Sequence, residues 1–117
     1  MQLDHVNIRT AHPEKSIDFY RNLIGLRVGY RPDFSFPGYW LYHEERPIVH
    51  LNVAENGANP ASGSLDHVAF YTDDFDGVLA RILEMQLPHK LLTLPDGTRR
   101  QCFLRDPDGV RVEISGP

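Results

Sequence analysis

The tetrapeptide Leu3-Asp4-His5-Val6 occurs again as Leu65-Asp66-His67-Val68, 62 residues further along a chain of 117 residues. A word that repeats at about half the chain length is typical of a duplicated supersecondary unit. The two halves also end alike, because Ile48-Val49-His50-Leu51-Asn52 corresponds to Arg111-Val112-Glu113-Ile114-Ser115 at an offset of 63. Each half therefore begins and ends on a segment with a titratable side chain near its centre.

The four repeated segments alternate with a period of two, which predicts β-strands with one aliphatic and one mixed face. The candidate metal ligands all fall on the mixed faces: His5, His50, His67 and Glu113. Further strands are predicted near residues 26–31, 38–42, 89–94 and 98–105, with turns at 45–47, 95–97 and 106–109.

One helix is expected in each half. Residues 13–24 begin with Pro13 and Glu14 and stop at Gly25, and the expected buried stripe is Ile17, Tyr20 and Ile24. In the second half, Asp74 can cap a helix that runs to about Gln86. Its expected inward residues are Phe75, Val78, Leu79, Ile82 and Leu83.

Each half is thus β-α-β-β-β, and the predicted fold class is α+β. Neither half would bury its own face well, so we expect the halves to pair around a shared cleft lined by the mixed strand faces. The prediction is a single domain, with module one at about 1–56, a linker at about 57–64 and module two at about 65–117.

Composition narrows the function classes. The net charge is -4 and there is no basic run, which argues against nucleic acid as a partner. No apolar stretch approaches the ~20 residues of a membrane helix, and the N-terminus lacks the pattern of a signal peptide. A single cysteine, Cys102, fits a reducing compartment. We therefore expect a soluble cytoplasmic protein.

Imidazole and carboxylate groups together are suitable ligands for Zn, Ni, Fe, Mn or Co. If the halves pair about a pseudo-two-fold axis, His5 and His50 would face His67 and Glu113. A single histidine on a strand more often makes a hydrogen bond and binds nothing, and the chain has no HxH or HExxH motif. The repeat symmetry is what favours a divalent metal ion as cofactor.

The chain resembles the vicinal oxygen chelate superfamily, which includes glyoxalase I, extradiol ring-cleavage dioxygenases and bleomycin-binding proteins. The matching words are LDHVNIRT, KSIDFYRNLIGLRV, LDHVAFYTDD and CFLRDPDGVRVEI, which together span nearly the whole chain. The resemblance implies an eight-stranded, incompletely closed barrel of two βαβββ modules around a metal cleft. It also implies that small members such as this one commonly form homodimers.

The family's metal ligands map to His5, His67 and Glu113, and its fourth ligand position falls on His50. Bacterial-type glyoxalase I has a glutamate at that fourth position, so His50 is a departure. His50 is then a fourth ligand or a proton carrier, and Glu113 is the better candidate for the general base. Arg9 matches the position that holds a glutathione carboxylate, although an exposed arginine at a strand end is an equally good reading.

Three functions remain open. The first is a glyoxalase I-like lyase or isomerase, whose metal polarises a substrate chelated through adjacent oxygens. The second is an extradiol dioxygenase using Fe(II) or Mn(II), with His50 as acid/base; against it, the family's tyrosine falls on Phe103, which has no hydroxyl. The third is a metal-free protein that binds a drug or metabolite. Candidate substrate contacts besides Arg9 are Trp40, Tyr42 and Phe103, the first two from an aromatic run that packing would explain equally well.

Overall fold

The computed structural model describes residues 2–57, 65 and 67–117. The chain divides into two compact units, Met1–Ala61 and Ser62–Pro117, which we call module one and module two. Of the predicted linker at 57–64, only Gly57 is among the described residues. Asp66, in the second copy of the repeated word, also lies outside them. The prediction of a single domain stays a prediction.

Module one contains one helical segment and one four-stranded sheet. Its elements are β1 (Val6–Thr10), α1 (Pro13–Phe19) with a π-helical turn (Tyr20–Ile24), β2 (Arg27–Gly29), β3 (Gly38–His43) and β4 (Arg46–Val53). The strand order is β1-β4-β3-β2, in which β1 and β4 are parallel and the other neighbours antiparallel. The helical segment makes the crossover that a parallel pair requires.

Module two repeats this plan. Its elements are β5 (Val68–Tyr71), α2 (Phe75–Glu84), β6 (His89–Thr93), β7 (Arg100–Arg105) and β8 (Arg111–Gly116). The strand order is β5-β8-β7-β6, with β5 and β8 parallel and the rest antiparallel. The predicted α+β class and the two βαβββ modules are therefore confirmed. The barrel and the shared cleft stay predictions.

The strand faces follow the predicted alternation. Ile8, Val49 and Leu51 are buried in module one, and Val112 and Ile114 in module two. Their polar neighbours lie on the opposite faces, because successive side chains of a strand point to opposite sides. Each sheet therefore has an aliphatic face that forms part of the core.

The first helix differs from the expected pattern because it changes pitch. The stripe of Ile17, Tyr20 and Ile24 was predicted from a uniform period of 3.6, but the final turn from Tyr20 to Ile24 is π-helical. The wider turn adds a residue and rotates the buried face, so Phe19 and Leu23 are buried with Tyr20, whereas Ile17 and Ile24 are half-buried.

Three smaller corrections concern α2 and the ends of strands. Leu83 is exposed and not inward, since it follows Ile82 on the far side of α2. The predicted turn at 45–47 is wrong in its last two residues, because β4 already begins at Arg46. The left-handed residue that reverses the chain is Glu44, with φ of 53°. His5 and His67 each stand one residue ahead of their strands.

The described helices are too short, and too rich in polar residues, for any of them to cross a lipid bilayer.

Candidate functional site

The mixed face of module one carries a stack of three rings. Parallel pairing of β1 with β4 sets Asn7 opposite His50, and antiparallel pairing of β3 with β4 sets Trp40 on the other side of His50. His5, two residues before Asn7, points to the same face. The centroids of the His5 and His50 rings are 3.8 Å apart with the planes at 12°, and those of Trp40 and His50 are 4.1 Å apart at 10°. His50 is therefore held between two aromatic rings.

The hydrogen bond of His50 fixes its tautomer. Nε2 of His50 lies 3.1 Å from the carbonyl oxygen of Pro47. Because a carbonyl only accepts, Nε2 carries the proton and Nδ1 is left as the acceptor. The residue is 8% exposed, and burial is the main cause that lowers the pKa of His50, with the nearby His5 adding to the effect. His50 is therefore a neutral imidazole near pH 7.

His5 has the surroundings of a metal ligand. Its Nδ1 lies 2.7 Å from Oδ2 of Asp4, the preceding residue. A carboxylate that binds one ring nitrogen orients the imidazole and leaves the other nitrogen, Nε2, for a metal ion, which is the common arrangement around ligating histidines. The His5 side chain is 36% exposed, so an ion from solution can reach it.

The mixed face of module two carries an imidazole and a carboxylate in direct contact. Nε2 of His67 lies 2.9 Å from Oε2 of Glu113. Glu113 is at the centre of β8, where only 9% of its side chain is exposed, and the His67 side chain is 31% exposed. Two ligand atoms about 2.1 Å from one ion and at right angles to each other, as in octahedral coordination, lie about 3 Å apart. The spacing of this pair is that of a hydrogen bond and is also compatible with two ligands of one octahedral ion.

Neighbouring side chains complete this face. Phe103 on β7 is paired with Glu113 across the strands, and its ring meets the His67 ring edge to face at 5.5 Å. The Arg111 guanidinium lies over Phe103 at 4.6 Å from the ring centroid. Nε2 of Gln101, also on β7, donates to Oε1 of Glu113 at 2.7 Å. Both carboxylate oxygens of Glu113 are thus hydrogen-bonded, Oε1 to Gln101 on β7 and Oε2 to His67, the residue before β5.

The two faces occupy equivalent positions in the repeat. His5 corresponds to His67, Trp40 to Phe103 and His50 to Glu113, and in both modules the aromatic residue is the cross-strand partner of the last-strand residue. The duplicated strands therefore bring His5 to His50 in one module and His67 to Glu113 in the other.

The remaining predicted substrate residues have other surroundings. Arg9 is exposed on β1, opposite Asn52. Tyr42 donates its hydroxyl to the carbonyl of Tyr30, and Arg27 lies over its ring at 5.1 Å from the centroid. The hydroxyl and the ring of Tyr42 are thus both engaged in local contacts. Trp40 and Phe103 are the predicted aromatic contacts that lie next to candidate ligands.

Module one also has an exposed aromatic patch, formed by Arg31, Phe34 and Phe36. The Arg31 guanidinium lies 4.8 Å from the ring centroid of Phe34 and 5.0 Å from that of Phe36, and it donates to the Phe36 carbonyl. Phe34 continues towards Trp40, at 6.2 Å between ring centroids. Nε of Arg31 is buried and has no hydrogen-bond partner within the described part of the chain.

The donor atoms of these residues suit a metal ion only in part. Among residues 2–57, 65 and 67–117, no group of three or more His, Cys, Asp or Glu side chains is assembled to hold a metal ion. His5, His67 and Glu113 nonetheless have donor atoms and hydrogen-bond partners that suit a divalent ion. His50 suits it less, because its ring plane lies nearly parallel to that of His5, so in-plane lone pairs of the two stacked rings do not converge on one ion, and its Nε2 is bonded to Pro47.

Comparison with known proteins identifies the class of protein. The model of the Glyoxalase/Bleomycin resistance protein/Dioxygenase superfamily matches residues 2–114, and the chain belongs to that superfamily. A curated relative, the lactoylglutathione lyase of Neisseria meningitidis serogroup A, is 26% identical over 97% of this chain and 89% of its own length.

Solved structures share the fold. A glyoxalase family protein from Bacillus anthracis has a TM-score of 0.79 at 22% identity, over 99% of this chain and 94% of that one. TnmS3, an antibiotic binding protein from a Streptomyces species, has a TM-score of 0.73 at 21% identity, over 100% of this chain and 96% of its own. At these identities the likeness concerns the fold, and the superfamily contains both enzymes and binding proteins.

Two residues next to the candidate ligands were not predicted from the sequence, Asp4 and Gln101. Asp4 could have been found from the repeated word, where it directly precedes the candidate ligand His5. Gln101 could have been found from the turn at 106–109, because a hairpin through that turn makes Gln101 a diagonal neighbour of Glu113.

Proposed function

We propose that this protein is a metal-dependent enzyme of the glyoxalase I type, which acts on a small oxygenated substrate chelated to a divalent ion. The proposed ligands are His5, His67 and Glu113. The observation that carries the proposal is the 2.9 Å contact between Nε2 of His67 and Oε2 of Glu113 on a half-buried sheet face. Family membership and the lactoylglutathione lyase relative support it.

Module one offers one proposed ligand, His5, and module two offers two, His67 and Glu113, so neither reaches the three protein ligands of a typical catalytic metal site. The proposal therefore requires ligands from both modules, of one chain or of two chains in a homodimer. The ion is Zn, Ni, Fe, Mn or Co, since all accept mixed imidazole and carboxylate ligands. When bound, it would supply Lewis-acid polarisation of the substrate oxygens.

The chain's own residues would supply orientation and proton transfer. Asp4 holds Nδ1 of His5 and so presents Nε2 to a ligand. Glu113 is the proposed general base, because it is the one carboxylate in the ligand set. His50, neutral and protonated on Nε2, has Nδ1 as an acceptor and is proposed as a proton carrier and not as a fourth ligand. Arg9, Trp40 and Phe103 are the proposed substrate contacts.

Metal content and turnover test this proposal together. Protein purified without chelator is analysed for metals, stripped, and reloaded with Ni²⁺, Zn²⁺, Mn²⁺, Co²⁺ or Fe²⁺. Turnover is measured with the hemithioacetal of glutathione and a 2-oxoaldehyde, and Glu113→Gln serves as the matched variant because it keeps the side-chain shape and removes the charge. Metal-dependent turnover that is lost in Glu113→Gln supports the proposal. Oxygen consumption with catechols and ferrous iron, without hemithioacetal turnover, would instead show the extradiol reaction.

A second candidate function is a metal-free binding protein for a drug or metabolite. It is favoured by the exposed aromatic patch, where Phe34 and Phe36 present ring faces beside a guanidinium. The antibiotic-binding structural neighbour is consistent with it. The test is to measure binding of the five ions and the fluorescence of Trp40 on addition of a planar aromatic ligand. Absence of ion binding together with a change in Trp40 fluorescence would support this function.

A further inference from the structure

We infer that Gln101 is a positioning residue for Glu113: its amide holds one carboxylate oxygen so that the other is directed at His67. The inference deepens the proposed function and rests on it, because the fixed oxygen, Oε2, is the one offered to the ion. Gln101 would not itself contact metal or substrate.

The contact geometry assigns each oxygen a separate partner. Nε2 of Gln101 is 2.7 Å from Oε1 of Glu113, and Nε2 of His67 is 2.9 Å from Oε2. An ionised carboxylate only accepts hydrogen bonds, so the NH₂ group of Gln101 must be the donor and the amide orientation is determined. A bond of 2.7 Å is in the range of charge-assisted hydrogen bonds.

The strand register explains why Gln101 has this partner. β7 and β8 pair Phe103 with Glu113 and Gln101 with Ser115, which sets Gln101 diagonally across from Glu113 on the same sheet face. β5 lies on the opposite side of β8 and aligns Ala69 with Glu113. The carboxylate therefore lies between the amide of Gln101 on β7 and the imidazole of His67, the residue before β5.

Because Glu113 is buried, the amide of Gln101 should affect how this carboxylate binds a metal ion. The Glu113 side chain is 9% exposed, so water can replace little of what Gln101 provides. Without the amide, the terminal torsion of Glu113 is set by one partner only, and the carboxylate can rotate to share both oxygens. A ligand held by its neighbours binds a metal more tightly, and losing such a partner typically lowers affinity about 10- to 100-fold.

The test uses two identical substitutions at different positions of module two. Gln101→Met keeps an unbranched side chain of similar length and removes the donor. Gln86→Met makes the same change at an exposed residue beyond the end of α2, far along the chain from β8. Thermal unfolding of both metal-free variants checks folding. If Gln101→Met does not fold, Gln101→Thr replaces it, since threonine favours strands and is too short to reach Glu113.

Two measurements are made on each variant. The first is the affinity for Co²⁺ alone, by titration of stripped protein. The second needs no metal: the ¹⁵N chemical shifts of the His67 ring, which report whether Nε2 remains the protonated nitrogen facing the carboxylate. We expect Gln101→Met to weaken Co²⁺ binding about tenfold and to shift the His67 ring signals, with neither change in Gln86→Met.

The results separate this inference from the proposed function. Unchanged His67 shifts in Gln101→Met overturn the inference, whatever the metal data. Shifted signals with unchanged Co²⁺ affinity also overturn it, because the amide would then serve packing alone. If the unmutated protein binds none of the five ions, the metal function fails, and the His67 shifts by themselves decide whether Gln101 positions the pair.

Discussion

The two modules place equivalent residues on equivalent strands and give them different chemistry. In module one, His50 is stacked between His5 and Trp40 and is held neutral by burial. In module two, Glu113 occupies the same place, and its carboxylate is bonded to His67 and Gln101. The repeat thus conserves position within the strand pairing, whereas the side-chain partners differ.

The aromatic cross-strand partner shows how this difference arises. Trp40 lies flat against His50, so its face covers the ring and favours a stacked, desolvated imidazole. Phe103 is smaller and meets His67 by an edge, which leaves room for a polar contact between His67 and Glu113. The duplication therefore teaches that one backbone frame can carry a structural stack in one copy and a ligand-like pair in the other.

The largest expected difference between the modules is the loss of metal affinity when an equivalent histidine is replaced by alanine. His67→Ala removes a proposed ligand and should weaken binding of Ni²⁺ or Zn²⁺ by more than about 100-fold, beyond what losing an outer partner costs. His50→Ala should change it by less than about tenfold, because its ring is engaged with Trp40 and Pro47 and is not a proposed ligand. Calorimetric titration of the stripped proteins measures both. Equal losses would make His50 a ligand and erase the distinction.

For folding stability we expect the opposite order, with a larger loss in His50→Ala than in His67→Ala. His50→Ala removes a buried ring from between two others and should lower the free energy of unfolding by about 2 kcal/mol, as for other large-to-small core changes. His67→Ala leaves Oε2 of Glu113 without its partner, but the half-buried position lets water in, so the change should cost about 1 kcal/mol. Urea denaturation of metal-free protein measures both values. His50→Phe is the matched control, since it keeps the stack and loses only the bond to Pro47. A His67→Ala variant less stable than His50→Ala would contradict this assignment.

The sequence was sufficient to predict most of the fold, because the strand faces alternate cleanly and the helices have clear end signals. Period-two patterns around His50 and Glu113 identified β4 and β8 and the faces to which these residues point. The repeat then fixed the βαβββ order of each module. These are local signals, and they survive folding because no long-range contact opposes them.

The partners of the site residues could not be predicted in the same way. Whether His50 stacks or ligates depends on the bulk of Trp40 and on a carbonyl three residues away, and neither is visible in a one-dimensional pattern. The π-helical turn after α1 was also missed, because nothing in the spacing of Tyr20 and Leu23 distinguishes it from an α-helical turn. Side-chain competition for space, and not periodicity, decides such details.

The ends of the two helices give a third contrast between the modules. The helical segment of module one ends at Gly25 with φ of 87°, whereas α2 is followed by Gln86 with φ of 55°, and each is followed by a leucine. The left-handed conformation costs a non-glycine residue about 1 kcal/mol or more. Gln86→Gly should therefore stabilise the protein by up to about 1 kcal/mol, and Gly25→Ala should destabilise it by about the same amount.

Thermal unfolding of both variants measures this pair, with Gln86→Ala as control because it keeps the strained backbone and alters only the side chain. If Gln86→Gly is no more stable than Gln86→Ala, the backbone at this helix end is not strained, and the contrast with Gly25 does not hold.

The smallest expected effect on stability concerns the side-chain hydrogen bonds between each helix and its sheet. In module one, the buried hydroxyls of Thr10 and Ser16 lie 3.1 Å apart, a neutral contact. In module two, Arg100 on β7 donates to Asp76 at the start of α2 at 2.7 Å, and this bond lowers the pKa of Asp76 below its ordinary value.

The sign of the pH effect follows from that lowered pKa. The bond between Arg100 and Asp76 stabilises the folded protein fully above the unfolded-state pKa of Asp76, near pH 4. This stabilisation is lost as pH falls through the lower folded-state pKa. The contribution is small and weakened by salt, because Asp76 is exposed.

Asp76→Asn should therefore lower the free energy of unfolding slightly at pH 7 and should flatten the decline of that free energy between pH 4 and pH 3. Thr10→Val removes the hydroxyl that contacts Ser16 and accepts from the backbone N–H of His12, but it changes no charged group, so it should leave the steepness of the acid decline unchanged. Urea unfolding at closely spaced pH values measures both, and a decline in Asp76→Asn that is unchanged or steeper would mean that Arg100 does not bond Asp76 in solution.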